Sequence, residues 1–570
     1  MGKVKKIDLS AKRLGELAEK YLSEGKYPSA LRFTFREIQR GGSLSAYFRI
    51  CDIYEAMGLN SSAINYWFKI LDECDEEDLP DVYEGLAVNY LNMGKDAQAA
   101  FYYNCLIESD DEIPEETKYE IAEAFSEKPK SPFKISHPPE LADYKKEVDG
   151  ASRAIKKGDC KKALKLLDGI PKGAKDYEVA MEMRALAYLL TGEIDRSIEA
   201  CSALLEVDEN NVRALSTLAA AYLEKGEREK SRELALRLCK TKAKDEEERF
   251  KIATVCCENG LHEEAYERFA ELEKEMPFDG RMLYFKGVSA FESGKLKEAI
   301  QTFEDLCAVY PDAAVVEYYL KWIKKYESAL LKGEETEKPK LTYFYQVPKE
   351  EREIRCDLLM DIMKQPKAEA EIFGIFAHTG GLFRWCFDEL DGMDHDLQYL
   401  ACLVAERCRT DDFLREILLD NEVLDLLKIE ILRLLYERNE ETTFGVVLCH
   451  VYRKLTLLPI QIGRKSRKKM IEAYARTASK FVAIRNDSGL RIKQAAEKLY
   501  RALEKYDSFD LMKSSDDGSC AIYLLAEMKD VGAGVETASL AFDANPARVR
   551  VLLTTVASYE KEKENGNGTD

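Results

Sequence analysis

Five histidines and fifteen cysteines are the residues of this chain best suited to metal binding or nucleophilic chemistry, and their spacing argues against both. His378, Cys386, His395, Cys402 and Cys408 lie near one another. They lack the short C-x₂₋₄-C or H-x₃₋₅-H pairs by which one turn of chain presents two ligands to zinc. No phosphate-binding glycine loop, dinucleotide turn, H-E-x-x-H helix or nucleophile elbow occurs. Carboxylates are spread everywhere, so no two stand out as an acid–base couple. The residues therefore predict a protein that is not an enzyme and that holds no cofactor and no metal.

The basic residues suggest a different chemistry. Residues 451–510 contain 15 Lys and Arg against 6 Asp and Glu, in a chain of formal charge −20. The core of the run is Arg464, Lys465, Arg467, Lys468 and Lys469, joined to a helix-like stretch with Arg476, Lys480, Arg485, Arg491 and Lys493. Clustered cations on a helix neutralise phosphates; the plainer reading is a solvated helix face. Further along, 521–527, 535–542 and 546–556 read as three short helices. Asn545 stands at an N-cap, Pro546 at the first helical position, and Arg548 and Arg550 in the opening turns. This is similar to a helix-turn-helix and, loosely, to the closing helices of cyclin-box repeats, which would put Arg548 and Arg550 in a nucleic-acid groove. Ordinary three-helix ends read the same way. Over residues 1–330 the balance is 49 basic to 63 acidic, which argues against nonspecific nucleic-acid binding by that half.

The elements that must position these residues follow a fixed period. Gly158, Gly192, Gly226, Gly260 and Gly294 recur every 34 residues, and Ala163, Ser197, Ser231, Ala265 and Ala299 follow each by five. A constant period of this length predicts a stack of identical supersecondary units. Leu283–Pro311 is the clearest copy. Gly294 ends a helix where a left-handed residue is needed, and Gly287 and Ala299 are small where two helices cross. Phe303 and Leu306 fill the gap to the next unit, and Pro311 stops the second helix.

With Ala185, Tyr188 and Gly192, then Ala219, Tyr222 and Gly226, then Ala265, Phe269 and Pro277, the pattern resembles the tetratricopeptide repeat. The resemblance covers roughly residues 11–330 and implies helix pairs stacked around a concave groove. The best-known ligand site of that family, a carboxylate clamp for chaperone tails, needs an Asn on the inner helix. The matching positions are Asp52, Val88, Ser152, Leu186, Ala220, Thr254 and Val288, so the clamp is not expected. The same register puts Arg213, Ser216, Phe250, Thr254, Arg281 and Tyr284 on the groove wall, a lining suited to an extended acidic or apolar peptide.

The expected fold is all-α, a helical solenoid followed by a second all-α domain. Its divisions are an N-terminal repeat block over 1–127, a proline-rich linker over 128–143, and the main array with its capping helix over 144–331. A second linker spans 332–348, a C-terminal all-α domain 349–560, and a tail 561–570. Tyr21–Ala30, Tyr47–Trp67 and Tyr83–Tyr103 mark three units in the N-terminal block, and residues 116–126 read as one more helix. No alternating strand is evident after 349. No apolar run reaches about 18 residues, so no membrane span is expected. Cysteines scattered through helical patterns read as free thiols in a reducing, cytoplasmic setting. The function predicted is a scaffold or adaptor that binds a protein partner in the groove. The alternative is a repeat protein that binds nucleic acid through its basic helices.

Overall fold

The computed structural model describes residues 10–109, 144–170, 176–388, 394–485, 489–527 and 534–566, with a few isolated positions between them. The helix expected over 116–126 lies largely, and the proline-rich segment 128–143 wholly, outside the described residues. The chain divides into two compact units. One comprises Met1–Ser126, Lys349–Phe387 and Gly392–Asp570; the other comprises Glu127–Pro348 and Asp388–Asp391.

The second unit is the 34-residue array. Its helix pairs are α7 (Lys145–Lys156) with α8 (Cys160–Leu167), α9 (Tyr177–Leu190) with α10 (Ile194–Val207), and α11 (Val212–Glu224) with α12 (Arg228–Leu238). Next come α13 (Glu246–Glu258) with α14 (His262–Leu272) and α15 (Gly280–Glu292) with α16 (Leu296–Val309). The longer α17 (Ala314–Lys332) closes the stack. Every glycine of the ladder has positive φ, between +67° and +84°, a conformation that costs other residues strain. Inside each pair the helices touch. A Cβ built on Gly287 would lie 2.2 Å from the Phe303 ring, so only glycine admits that phenylalanine. Ala299, Phe303 and Leu306 are fully buried around it. Asn211, Asp245 and Asp279 cap α11, α13 and α15 by accepting from backbone N–H groups three residues on.

The first unit opens with three pairs of the same kind. They are α1 (Ala11–Ser23) with α2 (Tyr27–Gln39), α3 (Leu44–Ala56) with α4 (Asn60–Glu73), and α5 (Leu79–Asn92) with α6 (Asp96–Ser109). Gly85 repeats the crowding of Gly287, with a Cβ there falling 2.3 Å from the Trp67 ring. The rest of the unit holds α18 (Lys349–Lys364), α19 (Lys367–Thr379), α20 (Leu382–Trp385), α21 (His395–Arg407), α22 (Asp411–Leu419) and α23 (Asp425–Glu437). A two-stranded hairpin follows, and then α24 (Arg467–Arg485), α25 (Leu490–Lys505), α26 (Ser515–Ala526), α27 (Val535–Ala541) and α28 (Pro546–Gly566).

That hairpin corrects the expectation of no strand after 349. β1 (Thr442–Leu448) and β2 (Val451–Leu457) pair antiparallel, Leu448 opposite Val451. β1 is buried continuously from Phe444 to Leu448, and a short apolar run of that kind does not distinguish a strand from a buried helix. The two-residue turn is Cys449–His450, both at positive φ, in place of the Asn-Gly that would have signalled a hairpin. Lys428 of α23 is almost fully buried beneath it and donates to the Val447 carbonyl at 2.7 Å. Burial lowers its pKa to about 8.

Hairpin and N-terminal helices are joined by a specific polar network. Asn65 donates to Asp420 at 3.1 Å and accepts from the Asn421 N–H at 2.8 Å. The Tyr90 hydroxyl donates to Asn421 at 3.0 Å, and His450 Nδ1 lies 2.8 Å from the same Asn421 oxygen. The Tyr102 hydroxyl donates to the His450 carbonyl and the Tyr452 hydroxyl to Asp72, both at 2.8 Å. Gly445 is required there, because a Cβ would meet the Asp72 carboxylate at 2.2 Å.

A second difference concerns the C-terminus. α28 runs to Gly566, into the stretch expected as a tail from 561. Glu560 and Glu562 pair with Lys498 and Lys505 of α25, which holds the charged run in a helix.

Candidate peptide groove

At its C-terminal end the array already carries a segment without helix or strand, residues 338–347 of the same chain. Past α17 the chain turns at Gly333, left-handed at φ +71°, and residues 334–348 form neither helix nor strand. Tyr343 and Tyr345 face the array while Phe344 between them is 66% exposed, and the chain bends through residues 343–346, where the Gln346 N–H donates to the Phe344 carbonyl at 2.8 Å. The Tyr343 ring stacks on His262 at 5.8 Å and on Phe285 at 6.0 Å, and its hydroxyl lies 2.8 Å from His262 Nδ1. Tyr345 meets the Tyr284 ring edge-on at 4.8 Å. Its hydroxyl donates to the Asp388 carboxylate at 2.9 Å.

Asp388 also accepts from the Val315 N–H at 3.1 Å, which places its charge at the positive end of α17. Two tyrosines of the array bind the segment's backbone. Tyr284 donates to the Thr342 carbonyl at 2.7 Å, and Tyr319 to the Gln346 carbonyl at 2.8 Å. Lys338 fixes the upstream end, 2.9 Å from the Glu292 carboxylate and 4.7 Å above the Phe291 ring. Beside the segment a cleft of about 610 Å³ is lined by Cys257, Glu258, His262, Glu292, Lys338 and Tyr343 among others. Burial holds the His262 imidazole below its ordinary pKa and pushes the Cys257 thiol and the Glu258 carboxyl up.

The tetratricopeptide-repeat family model matches residues 258–314, the helices that carry most of this seat. Over those residues the chain matches the tetratricopeptide repeat. No curated protein matches it by sequence. Solved structures similar to it include the TPR2AB domain of yeast Sti1 in its pHSP90 complex, at 15% identity over 47% of this chain and 98% of that one, TM-score 0.18. The P58(IPK) TPR domain matches at 14% identity over 56% and 99%, TM-score 0.16. The human IFIT1 dimer with m7Gppp-AAAA matches at 11% over 95% and 97%, TM-score 0.28. At these values none of them bears on what this chain binds.

The six groove candidates fall into two sets. Tyr284 is fully covered, and Phe250 packs on Phe269 and Phe285 at 5.8 and 5.7 Å, so both belong to the aromatic floor at the occupied end. Arg213 is tied to Glu247 at 3.1 Å and Glu182 at 3.5 Å. Ser216 and Thr254 turn their hydroxyls back to carbonyls of their own helices, and Arg281 is exposed. Near Arg213 the array's inner register also exposes Leu186 and Leu190 of α9, at 37% and 57%. The register did not point to His262, Phe285, Tyr319, Tyr343, Tyr345 or Asp388. The Tyr-Phe-Tyr alternation between Pro339 and Pro348 was the available signal.

The basic residues of the other unit are largely engaged. Lys465 pairs with Asp507, Arg476 with Asp516, and Arg550 with Glu536. Arg467 donates to the Ile462 carbonyl at 2.8 Å, and Lys469 to the Met512 carbonyl at 3.2 Å. Arg548 reaches Asp517 at 3.5 Å, while Asn545 caps α28 by accepting from the Ala547 and Arg548 N–H groups. Arg464 is exposed, and Lys468, 3.8 Å from Glu472, is almost fully exposed. Among the described residues no group of three His, Cys, Asp or Glu side chains could hold a metal. His378 packs against the Phe413 ring, Cys408 lies under Gly374, and burial pushes the Cys386 and Cys402 thiols up.

Proposed function

We propose that the protein is a non-catalytic interaction scaffold that takes an extended segment of a partner protein along the inner wall of its array. One observation carries the reading. The array already holds a segment that is neither helix nor strand through two of its backbone carbonyls and two alternate side chains, the kinds of contact by which a groove holds a peptide. Towards the other end, α9 exposes Leu186 and Leu190, and Arg213 of α11 is neutralised by Glu182 and Glu247. The cytoplasm is the compartment we assign. No helix among the described residues is long and apolar enough to cross a membrane, and all fifteen cysteines are free. Nucleic-acid binding has less support, because the cations it would use are mostly committed to carboxylates and carbonyls of their own unit.

Selection of a displayed library of random twelve-residue peptides on the full chain tests this, with calorimetric titration of the enriched sequences. Leu190→Glu together with Leu186→Glu should weaken those peptides by about tenfold or more, the effect of losing roughly 1.4 kcal/mol. Failure to enrich any peptide, or binding indifferent to both substitutions, would refute the reading.

A further inference from the structure

We infer that segment 338–347 is an exchangeable resting occupant of the groove, and that the partner's segment has its chemistry: two aromatic residues two apart, preceded by a cation. This rests on the groove being a peptide site, as proposed above. Three features distinguish a lodged ligand from an ordinary packed loop. The contacts of Tyr284 and Tyr319 are to main-chain carbonyls, which do not depend on the side chains that the segment carries. The side-chain grips are periodic, with Tyr343 and Tyr345 inward and Phe344 outward. The upstream end is acidic, with Glu292 taking Lys338 and Glu258 beside it in the cleft. That arrangement selects a basic residue ahead of the aromatic pair. Tyr343 lines the cleft, so an incoming chain can begin to replace the segment from that side.

The test uses a synthetic, fluorescein-labelled peptide of residues 338–348 and the full-length protein, read by fluorescence anisotropy. In the wild type the peptide should stay unbound at micromolar concentration, because the segment already fills the seat. In a Tyr343→Ala/Tyr345→Ala protein the seat is vacated, and apparent affinity should rise by about tenfold or more, as it does when the competent fraction rises. A peptide lacking both tyrosines should bind neither protein. Equal binding of the intact peptide to both proteins, or none to either, would overturn the inference. Should the double variant lose its helical circular dichroism, Tyr343→Ala alone carries the same comparison. The two readings fail separately. Library peptides that bind near Leu190 while the 338–348 peptide never binds would sink the exchange and leave the scaffold standing, whereas no groove peptide at all would sink both.

Discussion

The two repeat blocks use the same helix pairs and are covered in different ways. In the N-terminal block, Asn65, Tyr90 and Tyr102 meet a folded loop and hairpin through a network in which each partner is one particular side chain or carbonyl, Asp420, Asn421 and His450. In the array, Tyr284 and Tyr319 meet a segment without helix or strand through its backbone carbonyls, and the segment adds side-chain contacts from Lys338, Tyr343 and Tyr345. A network of buried side chains is costly to leave half-satisfied, so it fixes one partner. Carbonyls are alike in every chain, so contacts to them leave the partner replaceable. The difference separates a repeat block that has become part of a core from the one we propose as a binding surface.

The comparison breaks most visibly if the blocks fold alike on their own. Residues 144–348 expressed alone should be strongly helical by circular dichroism and melt cooperatively. Residues 1–127 alone should not, because Tyr90 and Tyr102 lose their cover. A cooperative melt of the short fragment would refute the contrast.

Crowding tests whether the common motif matters equally in both blocks. Gly287→Leu should wedge α15 from α16, and Gly85→Leu should press on Trp67. Each should cost about 1–3 kcal/mol, the usual range for overpacking. Ala299→Leu should do likewise at a fully buried position of the array. Calorimetry should show each change in the transition of its own unit, and an unchanged melt for both glycine variants would mean the close approach is not real.

Removing one hydroxyl from each block should separate fold from surface. Tyr90→Phe should destabilise the first unit by about 1 kcal/mol, the net worth of one buried hydrogen bond. Tyr284→Phe should mainly speed hydrogen exchange in residues 341–346. Equal effects on melting would erase the distinction.

Acidification should act on both covers. Burial holds His450 and His262 below the ordinary 6.5, because it disfavours the imidazolium. The unfolded chain then binds more protons, so the stability each contributes is present above about 6.5 and is lost as pH falls through the lowered folded value. His262→Gln should remove the pH dependence of exchange in the segment over that window. Persistence of the dependence would exclude His262 as its source.

The smallest effect is expected for nucleic acid. The full chain should give no mobility shift with duplex DNA at about 150 mM salt, where a few exposed charges are largely screened. Arg464→Ser with Lys468→Ser should change nothing. A shift lost in that double variant would restore the nucleic-acid reading.

The solenoid was legible because its signal repeats. A left-handed glycine every 34 residues, with Ala299 and Phe303 at fixed offsets, constrains each unit independently of what surrounds it. The same register placed Tyr284 and Phe250 on the inner helices, so the aromatic floor they join was legible too. Its occupant was not, because His262, Asp388 and Tyr345 are brought together only by the fold, and Lys332–Pro348 has the charge and prolines of a connector. The hairpin escaped because β1 lacks alternation and its turn is Cys449–His450. The basic run at 464–469 read as a surface because sequence shows cations but not the Asp507 and carbonyls that engage them.

The segment is attached, and that sets how it competes. Between the end of α17 at Lys332 and its first grip at Lys338 lie only the five residues 333–337. A short tether of that kind keeps an occupant at a local concentration on the order of millimolar, whatever the dilution of the protein. A free peptide with equal grips would have to approach that concentration to fill half of the grooves. A physiological partner is therefore expected to be bivalent, first engaging the open end at Leu186 and Leu190 and only then exchanging for the tethered tyrosines. Such a groove would ignore stray aromatic peptides in a crowded cell and respond to a partner long enough to touch both ends.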